Sequence, residues 1–513
     1  MRKLCRVLFS RYTVSLVILL ADVAWIVLFL SYLSSFWPAF AAVLIVLDVF
    51  LILHLVNRDT SPENKLPWAV IMLTVPFLGG VLYALFFSRK LSRRERKHLA
   101  CLAAFCPDVS EKTAELSALA AFDDAAAGKA MAILTEDPLS VVYRGTQAQY
   151  FGDGADMFAA MLSDIRAAER FIFLETFILE EGVMWTALHA ALLEKVRKGV
   201  EVRLLYDDIG CMQTLPADYD KRLRAEGIDA YRFSPVSPRM TVAHNHRDHR
   251  KITVIDGRIA YTGGINVADE YIHACQRFGH WKDGGIRLCG DAAHGLTRLF
   301  LNTFDLATKR VSDPTYYKPD GAVGTRTPSD GGFYLPFGSG PRPLYRYSVG
   351  KNAILNIVAQ AKRYVYVTTP YLIMDYELTM AFTSAARRGV DVRIITPHIP
   401  DKRMIFLLTR SAYPTLLSSG VRVFEYTPGF IHEKLLVADD EYTVIGTVNL
   451  DFRSFAHHFE DAVWTYRSPL LQDARDSFMQ AESLSQEIKL ADARLGLFGR
   501  VLRSLIRLFS PLL

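Results

Sequence analysis

"HRKITVIDGRIAYTGGIN" occupies residues 249–266, and "HEKLLVADDEYTVIGTVN" occupies residues 432–449. Both rows place His, Lys, Asp, Gly and Asn at offsets 0, 2, 7, 14 and 17, and they begin 183 residues apart. His249 and Lys251 are two residues apart, as are His432 and Lys434, so on a strand each pair faces one side. Ile252–Ile255 and Leu435–Val437 continue as buried strands. Asp256-Gly257 and Asp439-Asp440 read as turns, and Ile259–Tyr261 and Tyr442–Ile445 return as hairpin partners. A second turn at Gly263-Gly264 and at Gly446-Thr447 brings Asn266 and Asn449 back toward the histidines. His, Lys and Asn therefore converge. Asp256 and Asp439 fall at the far end of each hairpin and read as structural or orienting.

The repeat extends beyond these rows. "AERFIFLETFI" (168–178) is matched by "AKRYVYVTTPYL" (361–372), and "KGVEVRLLYD" (198–207) by "RGVDVRIITP" (388–397). "EGIDAYRF" (226–233) and "SGVRVFEY" (419–426) supply one more matching strand before each row. Continuous apolar strands alternating with helices predict α/β layers with both sheet faces covered. Residues 312–342 are rich in Gly, Pro, Asp and Ser and read as a linker. The Ala-rich stretch 101–137 has helical spacing and reads as a connecting or docking segment.

The chain has 513 residues, 51% of them hydrophobic, and a modest net charge of +5. The apolar excess is local. Three runs of about twenty residues, Tyr12–Leu33, Trp37–Val56 and Pro67–Phe87, each have the length that crosses a hydrocarbon core of ~30 Å. They predict a multi-pass membrane segment rather than a signal peptide, because a second apolar run follows the first at once. Asp22 and Asp48 lie inside the first two runs, at similar depth if these form a hairpin. Basic clusters precede the first run (Arg2, Lys3, Arg6, Arg11) and follow the third (Arg89, Lys90, Arg93, Arg94, Arg96, Lys97). Both favour the cytoplasmic side, and the expectation is a cytoplasmic catalytic region. The six cysteines show neither Cys-x-x-Cys pairs nor zinc spacing, and read as free thiols.

A neutral imidazole attacks, a protonated one donates to a leaving group, Lys is a point positive charge and Asn supplies amide donors. Together they suit a phosphoryl group, whose oxygens carry charge in the transition state. One row gives half a site. Two, related by a pseudo-two-fold axis, put histidines on opposite sides of one phosphorus. One forms a phosphohistidine while the other protonates the departing alcohol and deprotonates the incoming one. This chemistry calls for no cofactor and no metal, and a zinc reading of His244, His246 and His249 lacks a nearby fourth ligand. Asp283 in "HWKDGGIRL" and Glu460 in "HHFEDAVWTY" follow the two rows. Each is placed to bond the far ring nitrogen of a histidine and fix its tautomer.

His-x-Lys-x4-Asp, present twice, resembles the signature of the phospholipase D superfamily. "NHRDHRKITVIDGRIAYTGGIN", "DEYI", "TTPYL", "RGVDVRI" and "GTVNLDFRSF" resemble bacterial cardiolipin synthases, and "PWAVIMLTVPFLGGVLYALFF" resembles their membrane segment. The resemblance implies two phospholipase D-like α/β/α halves and a membrane-bound phosphatidyltransferase. Two phosphatidylglycerol molecules would become cardiolipin and glycerol. It implies a catalytic set of His249, Lys251, Asp256, His432, Lys434 and Asp439, with Asn266 and Asn449 lining the phosphate site and His249 as nucleophile. The alternatives are hydrolysis by water or transfer to or from another headgroup. Two departures lie close to the site: His458 where the family has Asn, and Met374 where it has Pro. The expected organisation is a membrane segment (1–97), a connecting segment (98–140), a first half (141–311), a linker (312–343), a second half (344–494) and an amphipathic helix (495–513). In the last, Arg500, Arg503 and Arg507 share one side of a helical wheel, which suits anionic lipid.

Overall fold

The computed structural model describes residues 38–58, 60–75, 78–86, 106–107, 109–236, 246–319, 329–342, 344–493 and 497–510, with parts of 23–31. The chain divides into two compact units. The larger holds nearly everything from residue 91 to residue 507, including both motif rows.

In this unit the first sheet has seven strands: β1 (Thr146–Phe151), β2 (Phe171–Thr176), β3 (Glu201–Asp207), β4 (Asp229–Phe233), β5 (Ile252–Ile255), β6 (Ile259–Gly263) and β7 (Gly285–Gly290). Their order is β1-β7-β6-β5-β2-β3-β4. The second sheet has β8 (Phe333–Ser339), β9 (Tyr364–Thr368), β10 (Asp391–Pro397), β11 (Arg422–Tyr426), β12 (Leu435–Ala438), β13 (Tyr442–Gly446), β14 (His458–Tyr466) and β15 (Ser485–Glu487). Its order is β8-β14-β13-β12-β9-β10-β11-β15, which repeats the first order strand for strand and adds one edge strand. In each sheet three parallel strands (β2-β3-β4, β9-β10-β11) join an antiparallel set. Every residue of β2 and β9 is buried, as expected of central strands covered on both faces. One apolar core runs through both halves, including Phe173, Val254, Phe300, Phe337, Trp464 and Phe478. A second, including Met161, Trp185, Leu188 and Leu204, lies under the helices of the first half. Each such large apolar side chain contributes roughly 1.5–3 kcal/mol when fully buried.

The hairpins β5–β6 and β12–β13 turn through paired left-handed residues, Asp256-Gly257 and Asp439-Asp440. In each turn an N–H three residues along donates to the first carbonyl (Arg258 to Ile255, Glu441 to Ala438). This is the tight turn that matches strand twist, and Asp and Gly tolerate its positive φ.

Three expectations are revised. The linker 312–343 contains β8, so the second half starts earlier. Its Gly- and Pro-rich composition disguised an outermost strand, where Pro336 leaves no gap in a central ladder. The Ala-rich stretch is not a mere connection: helices Val109–Phe122 and Asp124–Glu136 contribute Leu119, Ala130 and Ile133 to the main core. Third, among the described residues no helix is long and apolar enough to cross a membrane, so the expected transmembrane helices are not borne out there. The third apolar run is divided between helices Pro62–Thr74 and Leu78–Phe86, with Pro76 in the sequence between them; proline supplies no N–H to continue a helix. Helix Pro38–Val56 has 19 residues, roughly 28 Å, with Asp48 within it. Leu55, Trp68, Met72 and Tyr83 pack these helices together, and Asp48 lies buried against Gly80. The first run lies mostly, and Asp22 and His244 entirely, outside the described residues. Helix Leu497–Phe509 is present, with Arg500 and Arg507 exposed and Arg503 half-buried. Cys106, Cys211, Cys275 and Cys289 are free thiols.

Candidate active site

Two short parallel pairings stitch the halves together. Arg247–Asp248 pairs with His458–Phe459, and Gly429–Ile431 pairs with His280–Lys282. Each runs directly into a motif histidine. The His249 N–H donates to the Phe459 carbonyl (2.9 Å), and the His432 N–H to the Lys282 carbonyl (2.7 Å). The same crossing delivers a carboxylate to each ring from the opposite half. His249 Nδ1 lies 2.9 Å from Glu460 Oε2, and His432 Nδ1 lies 2.6 Å from Asp283 Oδ2. With Nδ1–H donating to the carboxylate, Nε2 keeps its lone pair. Both rings, both acids and both lysines are buried.

The acids are seated differently. Gly264 makes room for Asp283: a Cβ there would lie 2.0 Å from its Oδ1. At the corresponding place the second half has Thr447, whose hydroxyl donates to Glu460, as does that of Ser454 (2.6 Å). Lys251 Nζ donates to the His249 carbonyl at 2.6 Å, and Lys434 Nζ to the His432 carbonyl. Phe177 and His458 flank the His249 ring. Tyr271, Trp281 and Phe430 surround that of His432.

Burial holds both imidazoles neutral. The His249 pKa falls well below the ordinary value because of desolvation, with Glu460 opposing the shift and Lys251 adding to it. His432 is pushed down to about 4 by burial and then by Lys434. Burial lowers Lys251 to about 8 and Lys434 to about 7, and Lys251 further lowers both His432 and Lys434. The two rows thus act on each other electrostatically. Burial alone would raise Glu460 and Asp283, but His249 and His432 outweigh it and hold both acids below the usual carboxylate range.

The two aspartates of the rows stand elsewhere. Asp256 accepts from the backbone N–H groups of Glu169 (2.8 Å), Arg170 (2.7 Å) and Phe171 (2.9 Å). Asp439 does the same for Lys362 (2.8 Å), Arg363 (2.8 Å) and Tyr364 (3.0 Å). Each clamps its hairpin turn to the start of the neighbouring central strand, at the end of β5 or β12 away from the histidine. Among the described contacts neither meets a motif His or Lys. Asn266 is spent on the fold, accepting from the Ile178 N–H (3.0 Å) and donating to the Tyr271 hydroxyl (2.6 Å). Asn449 differs: its Oδ1 is buried without a hydrogen-bond partner among the described residues.

Sequence reading missed the residue between His and Lys in each row. Arg250 is fully buried and donates to the carbonyls of Glu460 (3.0 Å) and Leu299 (3.2 Å), to Thr303 Oγ1 (2.7 Å) and to the Tyr345 hydroxyl (3.1 Å). Glu433 accepts from the Tyr150 hydroxyl, from Lys282 Nζ (3.2 Å) and from Thr368 Oγ1 (3.2 Å). Strand alternation, which points both away from their histidines, was the available signal. Asp461 was also missed; it takes the Thr262 hydroxyl at 2.6 Å, across the halves.

Two family models match the chain. One, described as the cardiolipin synthase, phospholipase D-like domain, covers residues 161–276 and 354–481. The other, the phospholipase D-nuclease N-terminal model, covers residues 46–86. A cardiolipin synthase of Halalkalibacterium halodurans is 31% identical over 492 residues, covering 93% of this chain and 96% of that protein. An uncharacterized protein of Streptococcus mutans is 37% identical over 477 residues, covering 90% and 99%. The crystal structure of phosphatidylserine synthase from Haemophilus influenzae shares the fold, with a TM-score of 0.53 at 16% identity, over 71% of this chain and 93% of that one.

Proposed function

The chain belongs to the cardiolipin synthase family of phospholipase D-like proteins, and from that premise we propose a phosphatidyltransferase that joins two phosphatidylglycerol molecules into cardiolipin and releases glycerol. The observation that carries the reading is the crossed pairing: each motif histidine has its Nδ1 held by a carboxylate of the opposite half, so two Nε2 atoms are left for one phosphorus.

His249 Nε2 attacks the phosphorus of the first phosphatidylglycerol. The bond from phosphorus to the glycerol headgroup breaks, and His432 delivers a proton to the departing oxygen. The phosphatidyl group is then held on His249 through a P–N bond, as a phosphohistidine. His432, now neutral, takes the proton from the headgroup hydroxyl of a second phosphatidylglycerol, whose oxygen attacks the phosphorus and frees His249. An anionic phosphodiester beside His432 opposes the burial that keeps the ring neutral, so substrate binding favours the imidazolium that the leaving group needs. Lys251 and Lys434 balance the charge on the phosphoryl oxygens. Asn449, with its unused amide oxygen, is placed to accept from a hydroxyl of the substrate, whereas Asn266 shapes the loop around Ile178.

The same reading places the protein on the bacterial membrane, with the catalytic unit on the cytoplasmic side. Helix Pro38–Val56 exposes Val43, Val46, Phe50, Leu53 and Val56, which supports a lipid-facing role for the N-terminal unit. Headgroup-labelled and acyl-labelled phosphatidylglycerol, given to the purified protein in mixed micelles, tests the reading. Equal release of glycerol and formation of cardiolipin is expected. Phosphatidic acid as the sole lipid product would replace the transferase with a hydrolase.

A further inference from the structure

Away from the paired histidines, Asp153, His273 and His280 bring one ligand atom each within 4.8 Å of one another. They come from three separate pieces of the first half. Asp153 precedes helix Gly154–Ala167, His273 follows the single turn Asp269–Ile272, and His280 opens the crossing strand His280–Lys282. From these we propose a binding site for a transition-series divalent cation of the zinc type, distinct from the phosphoryl site.

The donor set is two imidazoles and one carboxylate, the combination that borderline cations take in open four-coordinate sites. Magnesium and calcium, which prefer all-oxygen shells, fit it poorly. Two of the three ligands are also held by the atom they would not give to the metal. Asp153 Oδ1 accepts from the Ala155 N–H at 2.8 Å, capping the helix, which leaves Oδ2 directed at His273 Nε2, 2.8 Å away. His280 Nδ1 sits 3.0 Å from the Tyr426 hydroxyl, a residue of the second half, which leaves its Nε2 for the cation. The His273 and His280 rings stack with centroids 4.8 Å apart and planes 20° from parallel. Contacts of this kind fix ring orientation and tautomer in known metal sites. His273 takes a left-handed backbone conformation, φ 58°, as the cap that ends the turn Asp269–Ile272. Both histidines are exposed and Asp153 is half-buried, so the cation enters from solvent and keeps water in its fourth position.

The position matters because strand His280–Lys282 pairs with Gly429–Ile431 and leads straight to Asp283. A bound cation would tie the start of that strand to two loops of the first half, steadying the segment that presents Asp283 to His432.

Cobalt(II) titration of the full-length protein in detergent, followed by its visible absorption and by displacement with zinc, tests the proposal. One equivalent is expected, with His273→Ala weakening binding at least tenfold. His280→Phe, which keeps the stacked ring but removes the nitrogen, is expected to do the same. His458→Ala checks the other close trio, His249, His458 and Glu460, and is expected to leave the cation bound. The absence of stoichiometric binding to the unaltered chain would overturn the site. So would binding that survives both His273→Ala and His280→Phe, or that disappears only with His458→Ala.

Discussion

The two halves of the catalytic unit agree in their scaffold and differ in their chemistry. Their strands follow one order, their hairpins turn on the same left-handed Asp, and that Asp clamps the same three backbone N–H groups in each. The divergence begins within ångströms of the histidines. Between His and Lys stands Arg250 in one half and Glu433 in the other. Beside the acid stands Gly264 in one and Thr447 in the other. Asn266 both accepts and donates within the fold, while Asn449 Oδ1 has no partner among the described residues. A duplicated fold preserves what both copies need, which is a hairpin held rigidly against a central strand. It relaxes where the copies do different work. In the proposed cycle the nucleophile forms and releases a bond to phosphorus, and its partner only moves a proton.

The largest effect that would break or confirm this division comes from the histidines themselves. His249→Ala removes the atom that bonds phosphorus, so turnover should fall by a factor on the order of 10⁵ with no labelled phospho-enzyme at any time. His432→Ala should also cripple turnover, but protein quenched in alkaline denaturant, which preserves a P–N bond, should retain label on His249, because the attack step survives with a poorer leaving group. Label on His432 in the His249→Ala protein would exchange the two roles.

A smaller effect sharpens the same contrast one residue further out. Glu460 and Asp283 each fix a tautomer, and replacing either with its amide should cost about 10²–10⁴ in kcat. Glu460→Gln should cost more, since Glu460 also takes the hydroxyls of Thr447 and Ser454, whereas among the described residues Asp283 takes in addition only its neighbouring backbone N–H. The two variants should also slow different steps. Glu460→Gln should retard appearance of the phospho-enzyme in a rapid-quench experiment, and Asp283→Asn should prolong its life. Equal retardation of both steps by both variants would mean that the halves are chemically equivalent.

The repeated row, its strands and the identity of the two acids were legible in the sequence because each rests on short-range pattern: spacing two on a strand, Asp-Gly in a turn, a carboxylate set among apolar residues. The crossing was not legible. It depends on pairings only two and three residues long, Arg247–Asp248 with His458–Phe459 and Gly429–Ile431 with His280–Lys282, far below the length at which alternation declares a strand. Composition misled twice, hiding β8 within a Gly- and Pro-rich stretch and presenting Pro67–Phe87 as one span. Asp256 and Asp439 carry the opposite lesson. Their distance along the hairpin from the histidine already argued for a structural task, and each accepts three backbone N–H bonds at that far end.

The smallest effect concerns His458, where the resemblance leads one to expect Asn. Its ring lies 5.3 Å from that of His249 between centroids, and its Nδ1 is 3.6 Å from Glu460 Oε1. Its counterpart beside His432 is Trp281, whose indole carries no titratable nitrogen, so His458 belongs to the chemistry by which the halves differ. Its positive charge, when present, lowers the pKa of both His249 and Glu460. His458→Asn removes that influence, so both should rise. The nucleophile must be unprotonated in the free enzyme, and protonation of His249 therefore sets the acid limb of kcat/KM. Raising its pKa moves that limb to higher pH: activity is retained on the alkaline side and lost sooner as the pH falls. The change at neutral pH should be less than tenfold, because burial rather than His458 is the main cause of the low His249 pKa. A limb that stays in place while the maximal rate drops would make His458 a packing residue. A limb that moves to lower pH would mean that His458 supports the imidazolium rather than opposing it, and that the charge balance around the two rings is the reverse of the one drawn from their surroundings.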